Sequence, residues 1–245
     1  MNNILSKQIA LDYCCTVSDV IDGINHFTEY SFSEGRRVFQ ERSDCFLKIA
    51  VINGKLLFTG NKDIIVWCRK KYSDYGAEWF MEAKNLHILN NRLYQSGYRI
   101  ETMHPYYISE TISEVCTDDY EIHWYFNDEI EQFRGDKRFN EAFAFCPKAP
   151  DVIGVSAIIS GEIIGMAGAS MDSDNMWQIG INTDRDYRKA GIGKMLVALL
   201  KNHLLSKGIL PYYGTSVSHL ASQRLAIGAG FLPEWVELYT EKIEK

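Results

Sequence analysis

Along the second half of the chain the spacing of apolar positions changes period several times, and each change marks an element. Over 176–183 the alternation predicts a strand with Ile179, Ile181 and Thr183 on one side. From about 192 to 206 the apolar positions recur at helical spacing, and Gly208 supplies the stop. Pro211 opens a further strand to about 217, and a short helix closed by Gly230-Phe231 follows it, with final strands to the end. Upstream, 120–126 (YEIHWYF) predicts a strand, and the polar run 127–142 suits one or two short helices. After the interruptions at Pro147 and Pro150, residues 151–160 and 162–169 predict a hairpin turning at Ser160-Gly161.

The first half carries a weaker pattern. Residues 44–50, 55–60 and 63–68 are expected as three short strands, with Asn53-Gly54 as the hairpin turn between the first two. A helix is expected over 77–95, with Phe80, Ala83, Leu86 and Leu93 on one side and its stop at Gly97. The chain therefore divides into an α+β domain at 1–115 and a second α+β domain at 116–245.

The chemistry concentrates where the 176–183 strand runs into the 192–206 helix, at Arg188-Lys189-Ala190-Gly191-Ile192-Gly193. Glycines just before a helix let backbone approach a ligand, and the unpaired N–H groups and positive end of the helix favour an anion such as a pyrophosphate. Arg188, Lys189 and Lys194 add formal charge there. A Walker loop ending at Gly193-Lys194 would need glycine at 188 and Ser or Thr at 195, where Arg188 and Met195 stand. A dinucleotide fingerprint would need glycine at 196, where Leu196 stands.

A second segment, Gly214 to Phe231, narrows the reading. With it the chain resembles the GNAT superfamily of acetyl-CoA-dependent N-acetyltransferases, whose cofactor motif is Q/R-x-x-G-x-G/A. Arg188, Gly191 and Gly193 match that motif, and Ser222, Leu225, Gly230 and Phe231 match the family's following helix, with His219 where Asn is usual. The run SHLASQRLAIGAGF resembles more narrowly the bacterial subgroup that includes zwittermicin-resistance-type acetyltransferases.

The resemblance implies a GNAT fold for the C-terminal half: a mixed, splayed sheet flanked by helices, with the pantetheine arm of acetyl-CoA lying where two strands part. It implies cofactor contacts from Ile181, Thr183, Arg188, Lys189, Ala190, Gly191, Ile192, Gly193, Lys194, His219 and Ser222. The implied reaction moves acetyl from acetyl-CoA to a primary amine of a small molecule, an antibiotic or a metabolite. The catalytic groups are less defined: many members place a carboxylate on the strand before the loop and a Tyr on the later helix, where this chain has Trp177-Gln178 and Ala226. Asp172, Asp174 and Tyr213 are the remaining candidates for base or acid, beside a mechanism resting on positioning and backbone N–H donors alone. The missing groups also leave open a non-catalytic CoA-binding or sensor module.

Composition limits the alternatives. The 245 residues are 46% hydrophobic and 13% aromatic, enough for a sizeable core, and no stretch has the length and uniform apolarity of a membrane span. The N-terminal run lacks the features of a secretory signal, so a cytoplasmic location is expected. Six cysteines form no C-x-x-C pair and have no histidine at zinc spacing, so free thiols and no metal are expected. The net charge of -6 falls mostly on 116–245, with 13 Lys+Arg against 18 Asp+Glu there. An acidic domain with one small basic patch suits an anionic cofactor and a cationic acceptor, and argues against nucleic acid. The first half carries no cofactor motif. Its aromatics, among them Trp67, Trp79, Tyr94, Tyr106 and Tyr107, suggest a wall for the acceptor. The alternatives for it are a scaffold, a homodimer surface, or a degenerate second GNAT half.

Overall fold

The computed structural model describes residues 1–37 and 45–244, which separate into two units. One comprises Met1–Tyr106 with Glu234–Lys245, the other Tyr107–Pro233.

The N-terminal unit begins with α1 (Asn3–Asp12), capped by the Asn2 side chain, which accepts from the N–H groups of Ile4 (2.8 Å) and Leu5 (3.2 Å). A reciprocal Thr16–Asp19 capping box starts α2 (Val17–Ile21). Strand β1 (His26–Glu29) runs parallel to β3 (Lys55–Gly60), which forms a hairpin with β2 (Leu47–Ile52). Asn53 and Gly54 turn that hairpin with φ of 50° and 72°, the left-handed pair that a tight two-residue turn requires. Residue 44, where the first strand was expected to start, lies outside the described residues.

Two expectations for this unit change. Residues 63–68 are not a strand but part of α3 (Lys62–Tyr72). Asn61 caps its start, Arg69, Lys70 and Lys71 occupy its last turn, and the buried Ile64, Ile65, Cys68 and Tyr72 follow helical spacing. The helix expected over 77–95 is a 3-10 turn at Ala77–Trp79 followed by α4 (Ala83–Tyr94). After α4, the left-handed Gly97 (φ 77°) leads into β4 (Tyr98–Ile108).

The second unit holds β5 (Glu121–Phe126), β6 (Asp151–Ile159), β7 (Glu162–Ser170) and β8 (Met176–Thr183), an antiparallel run in chain order. Ser160 and Gly161 turn the β6–β7 hairpin with φ of 52° and 82°. Helix α5 (Ile192–Ser206) follows β8, then β9 (Leu210–Gly214), parallel to β8, and α6 (Leu220–Gly228). Val155, Ala157, Ala167, Ala169 and Ile179 present one sheet face to Leu196, Val197, Leu200 and Leu204 of α5, all buried in one apolar core. Each fully buried leucine there contributes about 1.5–3 kcal/mol.

The opposite face is covered by residues 127–145, which carry 3-10 turns at Asn127–Phe133 and Lys137–Phe139. Gly154, Gly168 and Gly180 stand opposite one another on β6, β7 and β8. A Cβ on Gly168 would come within 2.2 Å of the Ala142 carbonyl oxygen, and one on Gly180 within 1.8 Å of the Glu141 oxygen. The Phe143 ring lies against Gly154 and Gly168 in the same way. Three glycines in register thus open a trough in which the backbone of 141–143 rests directly on the sheet.

The final strand, β10 (Leu232–Lys242), returns to the N-terminal unit, where it pairs antiparallel with β2 from Trp235↔Ile52 to Tyr239↔Lys48. The order in that unit is β1-β3-β2-β10-β4. The two units divide after residue 106 and again after 233, and the second division follows from β10 finding its hydrogen-bond partner on β2. Beneath this sheet Arg37 donates to Asp12 and Glu237, and Tyr13 and Tyr239 donate to Glu237 at 3.3 and 2.9 Å. Asp12 and Glu237 are 1% and 0% exposed, so neither charge is supported by water.

Arg37→Met is expected to lower unfolding free energy by about 3–5 kcal/mol, since it strands two buried carboxylates. Burial acts to raise the Asp12 pKa, but the charges of Arg37 and Lys48 and the hydrogen bonds from Gln8 and Arg37 hold it below the ordinary carboxylate range. This contribution is present above about pH 4 and is lost as pH falls through the lowered value. Urea titrations from pH 7 to 3 check both the midpoint loss and a weaker acid dependence in the variant. For the trough, Gly180→Ala is expected to cost about 1–3 kcal/mol through forced displacement of the 141 backbone. Wild-type thermal stability in that variant would contradict the trough.

Candidate active site

The C-terminal unit owes its opening to an early end of pairing. Strands β8 and β9 match only at Met176↔Leu210, Trp177↔Pro211 and Gln178↔Tyr212. Beyond Gln178, among the described residues, β8 runs on to Thr183 with β7 on one side and no partner on the other. Backbone groups of Ile179 to Thr183 on that side are left for another partner. Ile181 and Thr183 both lie in this stretch.

The charged loop follows at the open end. Arg188, Lys189, Ala190 and Gly191 are exposed, whereas Ile192 and Gly193 are buried. Gly191 is the N-cap of α5 with φ 86°, a left-handed value that a side chain would strain. Lys189 adopts φ 71° without being glycine, so the loop itself holds strain. The first intrahelical bond runs from Met195 N to Gly191 O at 3.0 Å, and no side chain caps the helix. The N–H groups of Ile192, Gly193 and Lys194 are therefore available to an anion, with the positive helix end behind them.

The second motif glycine has a different task from the one its position suggests. A Cβ on Gly193 would come within 2.7 Å of Leu225 Cδ1 and 3.1 Å of Thr183 Oγ1. The lack of a side chain at Gly193 thus lets the α5 start pack closely against α6 and the end of β8. This contact gathers the loop, Thr183 and α6 into one place.

His219 is the exposed N-cap of α6 and makes no capping bond with its side chain. Ser218 bonds Ser216 (3.1 Å between the hydroxyls) and does not cap the helix. One turn into α6, Ser222 Oγ lies 2.9 Å from the Tyr213 hydroxyl of β9. Burial raises the Tyr213 pKa, the Ser222 bond acts against that rise, and the negative charge of Glu141 adds to it. Tyr213 is consequently a protonated donor at neutral pH. Ala226, at the place where a tyrosine is usual, is fully buried in the core.

The two aspartates stand elsewhere. Asp172 is 1% exposed, and its carboxylate accepts from Ser170 Oγ at 2.9 Å and from the buried Tyr212 hydroxyl. It is engaged in anchoring the turn and is closed to solvent. Asp174 is exposed in the same turn. Both precede the paired end of β8, whereas the strands part only after Gln178.

Three further groups were missed by sequence reasoning. Asn182 Oδ1 accepts from the N–H groups of Glu141 (2.9 Å) and Ala142 (2.7 Å), fixing that segment onto β8. Gln178 Oε1 and Trp177 Nε1 are buried without hydrogen-bond partners among the described residues. The signal for the first was the glycines at 154, 168 and 180, which come into register once the two hairpins are drawn.

In the N-terminal unit, Asp19, Asp22 and His26 bring potential metal-ligand atoms within 4.8 Å of one another. Lys55 Nζ donates to Asp22 Oδ1 at 2.9 Å, and His26 Nε2 lies 2.9 Å from Asp22 Oδ2. A protein cation already serves this cluster. Among the described residues no helix is long and apolar enough to cross a membrane.

A family model described as Acetyltransferase (GNAT) family matches residues 116–231. Among solved structures, a GCN5-related N-acetyltransferase from Kribbella flavida is similar at 17% identity with a TM-score of 0.48, covering 65% of this chain and 64% of its own. A GCN5-related N-acetyltransferase-like protein from Streptococcus suis is similar at 17% identity with a TM-score of 0.45, covering 65% and 68%. An aminoglycoside N-acetyltransferase in complex with CoA is similar at 23% identity with a TM-score of 0.35, covering 46% of this chain and 92% of its own. No curated protein matches the chain. A matched span that contains the parted strands, the Arg188–Gly193 loop and α6 leads to one conclusion: residues 116–231 are a GNAT-family acetyltransferase domain.

Proposed function

We propose that this domain transfers acetyl from acetyl-CoA to a primary amine of a small molecule, and that the gap between β8 and β9 receives the cofactor. The observation that carries the reading is the end of β8–β9 pairing at Gln178, which leaves an unpaired strand edge leading to an uncapped helix start beside Arg188, Lys189 and Lys194. An extended pantetheine arm suits the edge, with Ile181 and Thr183 offering backbone groups as a neighbouring strand would. A pyrophosphate suits the free N–H groups of Ile192, Gly193 and Lys194. Ala190 and Gly191 keep that approach clear of large side chains, and His219 and Ser222 border it from α6.

Acetyl-CoA supplies an activated acyl group as a thioester, and the chain supplies position and protons. Tyr213, held protonated by burial, is suited to give a proton to the departing sulfur, and Ser222 fixes its hydroxyl. A basic loop in an otherwise acidic half draws the anionic cofactor to one end and a cationic amine to the rest. The similarity of SHLASQRLAIGAGF to zwittermicin-resistance-type acetyltransferases supports an antibiotic or related metabolite as acceptor.

Arg188→Glu is expected to weaken CoA binding about tenfold to a hundredfold, on the order of 1–3 kcal/mol. Calorimetry with CoA measures it, and unchanged affinity would remove the loop from the cofactor site. Tyr213→Phe is expected to lower kcat by about 10²-fold with CoA affinity retained, whereas Asp174→Ala keeps kcat near wild type. Release of free thiol from acetyl-CoA with spermidine, kanamycin and tyramine provides the assay; a large loss in Asp174→Ala would return that aspartate to the chemistry.

A further inference from the structure

Residues 140–143 are attached to β8 more firmly than cover for a sheet face requires. Gly180 gives up the space its side chain would fill, so that the Glu141 carbonyl rests on the strand. Asn182 commits its whole amide to the same segment, accepting from Glu141 and Ala142 and donating to Asn140 Oδ1 at 3.3 Å. Both anchors lie beyond Gln178, in the part of β8 that has lost β9. Glu141 is thereby fixed beside the fork.

Its carboxylate is exposed and, among the described residues, has no hydrogen-bond or ion-pair partner. It lies near enough to Tyr213 on the other arm of the fork to act on that hydroxyl's proton affinity. Gln178 shares the face of β8 that carries Gly180 and Asn182, and it occupies the last paired position. Its buried Oε1 lacks a donor among the described residues, and native structures give such an atom a partner, either protein or ordered water. A carboxylate without a partner on a segment anchored at Gly180 and an acceptor without a donor at Gln178, on one face of β8 where the strands part, suit a group with several N–H donors and a positive charge.

We propose that Glu141 is the proton acceptor for the attacking amine and that Gln178 Oε1 holds one of its N–H groups. The proposal rests on the reading of the gap as the acetyl-CoA site. An ammonium arriving at the fork gives one proton to the Glu141 carboxylate, which releases it to water. The freed nitrogen pair forms the C–N bond to the acetyl carbon while the C–S bond breaks. A second nitrogen proton passes to Glu141, and the sulfur takes one from Tyr213, restored through water from Glu141. The sum is an amide, a free thiol and one proton released.

The test compares Glu141→Gln and Glu141→Asp with wild type, using acetyl-CoA with spermidine, kanamycin and tyramine across pH, and CoA calorimetry alongside. The expected result for Glu141→Gln is unchanged CoA affinity and melting temperature, with kcat/KM for the amine about 10²–10⁴-fold lower. Glu141→Asp recovers part of the rate. Wild-type kcat/KM in Glu141→Gln overturns the proposal. So does a wild-type protein that binds CoA and acetylates none of the three amines. Failure of wild type to bind CoA instead overturns the cofactor reading beneath it.

Discussion

Two parallel strands that pair at three positions and then part set the terms for the C-terminal unit. Had β9 followed β8 to its end, every backbone group of Ile179–Thr183 would be used within the sheet, and α5 would begin against a closed edge. Because they part, the helices that follow each strand must bridge the space. Leu225 of α6 packs where a side chain on Gly193 would stand, and Ser222 bonds Tyr213. The uncapped start of α5 is then held open, with helix packing behind it and solvent before it.

The same parting explains why the opposite face is built as it is. A strand without a neighbour on one edge gains from support elsewhere, and β8 receives it from 141–143 through Asn182 and the glycine trough. Gly154, Gly168 and Gly180 accept the entropic cost of glycine in strands in return for backbone-to-backbone approach. Phe143 fills the trough and joins Phe133 and Phe139 in a small aromatic core. Rigid placement of a loop residue on a sheet is a better platform for proton transfer than a free loop would be.

Much of this was readable in residue order. The helix over 192–206 and the strand over 176–183 were legible because period, glycine stops and the loop motif agree there. The hairpins at Asn53-Gly54 and Ser160-Gly161 were legible because left-handed backbone leaves few residue choices. Residues 63–68 misled, since Asp-Ile-Ile-Val-Trp-Cys is rich in β-branched and aromatic side chains. The cap at Asn61 and the buried spacing of Ile64, Ile65, Cys68 and Tyr72 overrode that propensity. Glu141 was hidden for another reason: its part depends on cross-strand register and on Asn182, 41 residues away, and no local pattern carries either. Asp172 was singled out as a carboxylate in the turn before β8, and its bonds to Tyr212 and Ser170 place it as an anchor of that turn.

The return of β10 to β2 makes the N-terminal unit discontinuous, with the acetyltransferase domain inserted between β4 and the last strand. During synthesis the ribosome completes Tyr107–Pro233 before it makes the strand that fills the place between β2 and β4. The usual vectorial order, in which the first-made unit folds first, is thus reversed. Until β10 is made, the β2 edge that it covers stays open to wrong pairing and Arg37 lacks Glu237, so the discontinuous unit is completed only after the domain inserted into it.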